Sequence, residues 1–497
     1  MDAVVTLGID DMRDPAKYEA YLRPILDRLK KLDGRAPVSI MSNRVEPTDE
    51  RLQAWLREGL SLECHTFDHP CPILKDKDFA KAKLTYDKCV DLLASVPSSK
   101  PVAFRVPCCD SLNTPSPRFY AHIFNGVTAK KNFLAIDSSV FCVLTPKDTT
   151  LPREWTLDAS GGERFRKYIP PNIEFVNTID DYPYPYVLGR LGWEFPCVVP
   201  SDWEAQRLHK PNNPSTVEDW KIALDAVLRK QGTFNLVFHP HNWIKPEQVV
   251  ELIDHAAGKK IKFLTFRECL ERLEKNALGG ASLRAPDGGD AGVRLLDVDG
   301  DGYMDVVNAP ARKTRLWMHD RWFITGFPLD SLEGARFGIV GTSVVLMHDS
   351  GAWRFTGPGW TESRLLTLKG IQRLRDVDGD GTCEAIAGRA VHRWTTSGWE
   401  KTAELPWDVD SPALRFVDLN GDGKDDLVAS DESGALVAVY EGPGWRTIKT
   451  SGVPLLSRAG MDNGAWFHSK HLWIQNEDTA SMKNLVDKRS FEELLKP

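Results

Sequence analysis

One acidic loop occurs three times in the C-terminal half of the chain, as Asp297-Val298-Asp299-Gly300-Asp301-Gly302, Asp376-Val377-Asp378-Gly379-Asp380-Gly381 and Asp418-Leu419-Asn420-Gly421-Asp422-Gly423. A loop that recurs at a regular spacing marks one supersecondary unit copied along the chain, and such units are stable only when stacked. The copies begin 79 and 42 residues apart, so the longer interval has room for a unit whose loop is missing. Around them run short strands and turns, with aromatic markers at Trp322, Trp353, Trp399, Trp445 and Trp473. Five such units predict an all-β, five-bladed propeller over residues 293–480, followed by a helical tail at 481–497.

The loops carry ligand chemistry as well as a repeat. Asp297, Asp299, Asp301 and Asp305 stand at positions 1, 3, 5 and 9, and Tyr303 can add a backbone carbonyl. The second copy offers Asp376, Asp378, Asp380 and Glu384 with the Thr382 carbonyl, and the third Asp418, Asn420, Asp422 and Asp426 with the Lys424 carbonyl. Oxygen ligands at alternate positions suit calcium. An EF-hand needs a bidentate Glu at position 12, where this chain has Asn308, Ala387 and Ala429, so that motif is excluded. Any one copy could be a metal-free Asp/Gly turn; three matched copies favour the ion. The loops resemble FG-GAP or integrin-type propeller repeats, which implies a structural Ca²⁺ in each and an extracytoplasmic protein, periplasmic or secreted.

The first 278 residues follow another pattern. Val4–Ile9, Val38–Met41, Leu62–His65, Phe234–Phe238 and Lys262–Leu264 read as strands. Between and after them, Lys17–Leu32, Leu52–Leu60, Phe79–Leu93, Trp220–Lys230, Gln248–His255 and Phe266–Leu273 show helical spacing. Strand-helix alternation predicts parallel strands with crossover helices, as an open sheet or a barrel. Residues 145–215, rich in Pro, Trp and Tyr, read as long loops over one face, and residues 279–292, rich in Gly and Asp, as a linker.

Composition excludes several classes. Lys plus Arg is 63 against 70 for Asp plus Glu, a net charge of -7 without a basic block, so nucleic acid is not an expected partner. No run of 18 apolar residues spans a membrane. Met1-Asp2 leads straight into Ala3–Leu7 with no charged segment or cleavage site, so any targeting signal is expected outside this chain. Nine cysteines, an odd count, leave at least one thiol free within the chain.

Chemistry-bearing residues collect at the ends of the predicted N-terminal strands. Asp10-Asp11 follow the first strand, His65 and His69 the third, Arg105 and Pro107 a further one, and His239-Pro240-His241 the strand ending at Phe238. Parallel α/β folds build their sites at this edge. Singly, an Asp pair is more often a helix cap, and His65 and His69 could be ordinary loop residues. A four-residue spacing on a helical turn would instead put both imidazoles on one side. His241, two residues beyond His239 on a continuing strand, is expected to face away and to be structural.

Together these residues resemble the NodB-type polysaccharide deacetylases, the fourth carbohydrate esterase family. The match is carried by Asp10-Asp11, the His65-x-x-x-His69-Pro70 motif, Arg105-x-Pro107 and Leu236-x-x-His239, with Asp137-Ser138-Ser139 as a divergent form of the remaining Asp motif. Ile9, Met12 and Cys108 depart from the pattern, and no Asp-Trp pair accompanies that last motif. The resemblance implies a distorted (β/α) barrel binding Zn²⁺, or Co²⁺, Ni²⁺ or Mn²⁺, through Asp11, His65 and His69. It also implies Asp10 as general base paired with Arg105, His239 as general acid, and Asp137 keeping His239 protonated. The expected reaction removes N- or O-linked acetyl groups from a polysaccharide or oligosaccharide. The competing expectation is a non-catalytic glycan- or protein-binding chain whose barrel has lost turnover, against which the complete set Asp10, Asp11, His65, His69 and His239 argues. Neither reading fixes the sugar or the oligomeric state.

Overall fold

The computed structural model describes residues 3–74, 76–109, 116–169, 177–357 and 359–496. In the N-terminal half, β1 (Val4–Asp10), β2 (Val38–Ser42), β3 (Ser61–Cys64), β4 (Ala103–Phe104) and β5 (Ile136–Asp137) lie side by side. Later come β6 (Phe141–Val143), β7 (Thr178–Asp180), β8 (Tyr186–Leu188), β9 (Gly192–Glu194), β10 (Cys197–Val198), β11 (Thr233–Phe238) and β12 (Lys262–Phe263). The main sheet runs β11-β1-β2-β3-β4-β5-β9-β8, with β12 beside the start of β1, and only the β8–β9 pair is antiparallel. Its two sides approach: Asn235 on β11 donates to the Phe195 carbonyl at 2.8 Å and to Ser138 Oγ at 2.9 Å. The sheet therefore curls into a distorted barrel. Strands β10, β6 and β7 form a small parallel sheet.

Local sequence explains the helices. Asp14 caps Pro15–Asp33 by accepting from the Ala16 and Lys17 N–H groups, and Gly34 ends it at φ 72°. The predicted stripe Tyr18, Leu22, Ile25, Leu26 and Leu29 is buried against the sheet. Each such side chain contributes about 1.5–3 kcal/mol by leaving water. The helix expected from Trp220 begins at Pro214, because Asn213 caps it and proline suits the first turn.

Residues 145–215 depart from the expectation of long loops. Among those described are strands β7 to β10 and the helix Asp202–His209, and β9 joins the main sheet beside β5. Strands of two or three residues are too short to show alternation in sequence. The stretch at 279–292 is docked rather than free. The buried Arg284 guanidinium donates to the carbonyls of Phe124, Asn125, Gly126, Leu134 and Gly288.

Beyond it stand four four-stranded antiparallel sheets, within residues 293–326, 336–362, 373–404 and 414–449, each a meander of consecutive strands. The three acidic loops join the first and second strands of sheets one, three and four. In the second sheet that connection is only Gly341-Thr342, which accounts for the long interval between loops. An aromatic pair crosses the third and fourth strands of each sheet: Trp317/Trp322, Phe355/Trp360, Trp394/Trp399 and Tyr440/Trp445. The marker of the second unit is thus Trp360 and not Trp353, which lies on the third strand. A two-stranded hairpin and a three-stranded sheet follow. The expected helical tail supplies a strand, Asp487–Ser490, to the latter before the short helix Phe491–Leu495. This end also meets the barrel, where Arg118 pairs with Glu477. No described helix is long and apolar enough to cross a membrane.

Candidate metal centre

Every predicted barrel residue lies at or just past the carboxyl end of a strand: Asp10 and Asp11 at β1, His65 and His69 after β3, Arg105 after β4, Asp137 at β5 and His239 after β11. The loops bend sharply there. Asp11, Thr66, His69, Cys108 and Asn242 all take positive φ, between 52° and 66°, an uncommon conformation for residues with a side chain. Such strain gathers where a structure must aim side chains at one point. His65 and His69 do come together, with ring centroids 5.1 Å apart, but not through a helical turn. The left-handed residues Thr66 and His69 fold the segment back, and the buried Asn43 amide holds the His65 and Thr66 carbonyls at 2.5 and 2.9 Å. A disulfide from Cys71 to Cys108 ties this loop to the one after Arg105.

Ligand atoms of Asp11, His65 and His69 lie within 4.8 Å of one another. His69 Nε2 is 3.1 Å from Asp11 Oδ1, a separation two ligands of one ion can keep at bond lengths of about 2.0–2.2 Å. His65 Nδ1–H donates to the Arg105 carbonyl at 2.8 Å, which leaves Nε2 as the lone-pair donor. Burial holds the His65 imidazole down to about 4 against the nearby Asp10 charge, so near neutrality it is the neutral, ligating form. Burial alone would raise Asp11, but hydrogen bonds from His241 and His69, and the charges of His65 and His69, keep its carboxyl well below the usual range. The three residues fit a divalent transition ion.

Two ion pairs adjoin this group. The fully buried Arg105 donates through Nη1 to Asp10 Oδ1 at 2.6 Å, while its Nε and Nη2 reach the Ser138 carbonyl and Oγ, each at 2.9 Å. Asp10 Oδ2 lies 3.9 Å from His65 Nε2. Gly8 makes room for this arrangement: a Cβ there would stand 2.7 and 2.8 Å from the two Arg105 terminal nitrogens.

The second pair corrects the expectation for Asp137. His239 Nδ1 faces Asp202 Oδ1 at 2.7 Å, and its backbone N–H donates to Asp202 Oδ2 at 2.9 Å. Asp137 accepts instead from Tyr120 Oη at 2.6 Å and Ser139 Oγ at 2.7 Å, and Ser139 Oγ in turn accepts from the Val106 N–H. It braces the Arg105 loop rather than His239. Its strand partner Glu194 is buried beside it; burial and the Asp137 charge push Glu194 far up, so Glu194 is the protonated member. The Asp-Trp pair missing beside Asp137 is present as Asp202-Trp203. Its signal was in the sequence: Ser201 and Glu204 form a capping box that starts a helix with Asp202 in its first turn.

His241 also departs from expectation. Strand β11 ends at Phe238, so alternation no longer applies, and the turn brings His241 Nε2 to 3.1 Å from Asp11 Oδ2.

The acidic loops are built alike. Asp297 accepts from the Gly300, Asp301 and Gly302 N–H groups at 2.7, 3.1 and 2.9 Å, and Asp376 and Asp418 repeat this. Gly300, Gly302 and their counterparts take φ of 74–89°. Asp301, Asp380 and Asp422 accept from the N–H groups of Tyr303, Thr382 and Lys424. Asp305, Glu384 and Asp426 are buried and accept from the N–H of the second loop residue at 2.9, 3.0 and 3.0 Å. Burial, with repulsion from Asp299 and Asp301, raises Asp305 to about 6, and burial with Asp378 and Asp380 raises Glu384 to about 7. Asp297, Asp299 and Asp305 converge within 4.8 Å, as do Asp376, Asp378 and Glu384. Crowded acids of this kind fit a hard cation. In the second loop Arg393 pairs with Asp378 and Asp380 and supplies part of that charge.

No curated protein matches the chain. Among solved structures it is similar to peptidoglycan deacetylase PdaC from Bacillus subtilis, at 17% identity over 56% of this chain and 94% of that one, with a TM-score of 0.31. It is also similar to a family 4 carbohydrate esterase from Streptomyces lividans, at 12% identity over 53% and 91% with a TM-score of 0.28. Puue allantoinase gives 9% identity over 55% and 91%, with a TM-score of 0.37. In sequence, residues 2–115, which carry Asp10, Asp11, His65, His69 and Arg105, match the model of the polysaccharide deacetylase family.

Proposed function

We propose that the N-terminal half is a metal-dependent hydrolase that removes N- or O-linked acetyl groups from a glycan. The observation that carries this reading is the convergence of Asp11, His65 and His69 beside two separate ion pairs, Arg105–Asp10 and Asp202–His239. A divalent ion such as zinc, when bound, supplies Lewis-acid polarisation of an acetyl carbonyl and lowers the pKa of water. Asp10, aimed by the Arg105 hydrogen bond, accepts the proton of the attacking water. His239, its Nδ1 fixed by Asp202, presents Nε2 to protonate the departing sugar amine or hydroxyl. Two proton-handling groups with different partners are what hydrolysis with a poor leaving group requires.

The C-terminal sheets are read as five propeller blades, the last formed with the chain terminus. Regular meanders, recurrent aromatic pairs and the loop positions support that arrangement. Calcium in the three loops would stabilise it as scaffold or glycan-binding module, and an extracytoplasmic setting would supply the ion. Metal analysis by mass spectrometry together with acetate release from a panel of acetylated glycans tests the reading. One transition metal per chain with metal-dependent acetate release supports it, and a metal-loaded chain inert towards every acetylated glycan counts against it.

A further inference from the structure

The two carboxylate oxygens of Asp11 face different imidazoles, His69 Nε2 on Oδ1 and His241 Nε2 on Oδ2, each at 3.1 Å. Only His69 belongs with His65 and Asp11 to the converging ligand group. His241 stands outside that group, so no shared ion bridges its Nε2 to Oδ2; a carboxylate oxygen brings no proton, and Nε2 of His241 therefore carries the hydrogen and donates. We propose that His241 is a positioning residue for the metal-binding carboxylate: it holds Asp11 Oδ2 and leaves Oδ1, whose other contact is a long hydrogen bond from Arg13 Nη2 at 3.4 Å, as the oxygen offered to the ion. This rests on the assignment of Asp11, His65 and His69 as the ligands.

The surroundings fix His241 for that task. Its ring stacks on His239, centroids 5.7 Å apart and planes at 23°, and Trp243 meets both rings edge-on at 4.9 and 5.0 Å. Asn212 secures the turn from behind, donating its side-chain amide to the Asn242 carbonyl and its backbone N–H to that of Trp243. Asn242 takes φ 61°, the bend that returns His241 towards Asp11. Without a partner on Oδ2, Asp11 could rotate between one-oxygen and two-oxygen binding, and that freedom would be lost on metal uptake. Partners that orient ligating groups typically contribute 10- to 100-fold in metal affinity.

The test is zinc affinity of the full chain, measured without acetylated substrate by competition with a chromophoric chelator. Because no substrate is present, a failure of the deacetylase reading leaves the result standing. His241→Ala should bind one zinc about 10- to 100-fold more weakly, and His241→Gln, whose amide can still donate to Asp11, should recover part of that loss. The side chain is 31% exposed, so its removal opens no core cavity. Unchanged affinity in His241→Ala would overturn the proposal, and a loss as complete as in His69→Ala would make His241 a ligand instead.

Discussion

The barrel site and the acidic loops both gather carboxylates, yet they are assembled in opposite ways. Asp10, Asp11, His65, His69, Arg105, Asp202, His239 and His241 come from five chain segments and meet only because a curled sheet brings its strand ends together. Each acidic loop is complete within nine residues, and its first Asp is held by the N–H groups of its own turn. The barrel site therefore depends on long-range packing, whereas a loop depends on its own turn and on the sheet that buries its ninth residue. Damage should spread differently in the two.

The largest effect is expected from His69→Ala, which removes one of three ligands and should abolish stoichiometric metal while leaving the acidic loops intact. Metal analysis after dialysis against a weak chelator checks this. Full occupancy would remove His69 from the site and weaken the contrast at its root.

Next comes Asp202→Asn, which keeps the shape of the His239 partner but not its charge. Acetate release from amide or sugar-ester substrates should fall about 10²-fold or more, with a far smaller change on activated aryl acetates, which leave without a proton. Equal loss on both would dissociate Asp202 and His239 from leaving-group protonation.

Gly8→Ala tests long-range packing without touching a ligand. The added methyl would stand under 3 Å from the Arg105 guanidinium, with an expected cost of about 1–3 kcal/mol in stability and a marked loss of turnover as Arg105 leaves Asp10. Thermal melting and acetate release read the two together.

Calcium withdrawal should have the smallest effect on chemistry. A calcium-selective chelator should lower the melting temperature of the C-terminal sheets by mass action while acetate release at ambient temperature stays near its starting value. Because Arg393 already pairs with two acids of the second loop, that loop should take calcium more weakly than the first, and Arg393→Ala should narrow the difference.

The same contrast explains what could be read in advance. The acidic loops and their ligand positions are visible in the sequence because everything that shapes them is local. Asp10, Asp11, His65, His69, Arg105 and His239 were visible as motif residues at strand ends, but their geometry was not. The helical turn expected for His65 and His69 is a loop bent by left-handed residues, and Asn43, which holds it, carries no charge to draw notice. Asp137 was assigned to His239 through a motif resemblance, whereas the partner is Asp202, in a segment of very short strands whose pattern is too brief to show. His241 was placed on the far face by extending a strand that stops at Phe238.

The most direct test of the account is Asp10→Asn in the full chain, with metal content and acetate release measured on one sample. Asp10 lies beside the metal group and outside it, so the account predicts one transition metal per chain and a rate about 10²- to 10⁴-fold below wild type. Loss of the metal would make Asp10 a ligand, and an unchanged rate would contradict its role as the group that accepts the water proton.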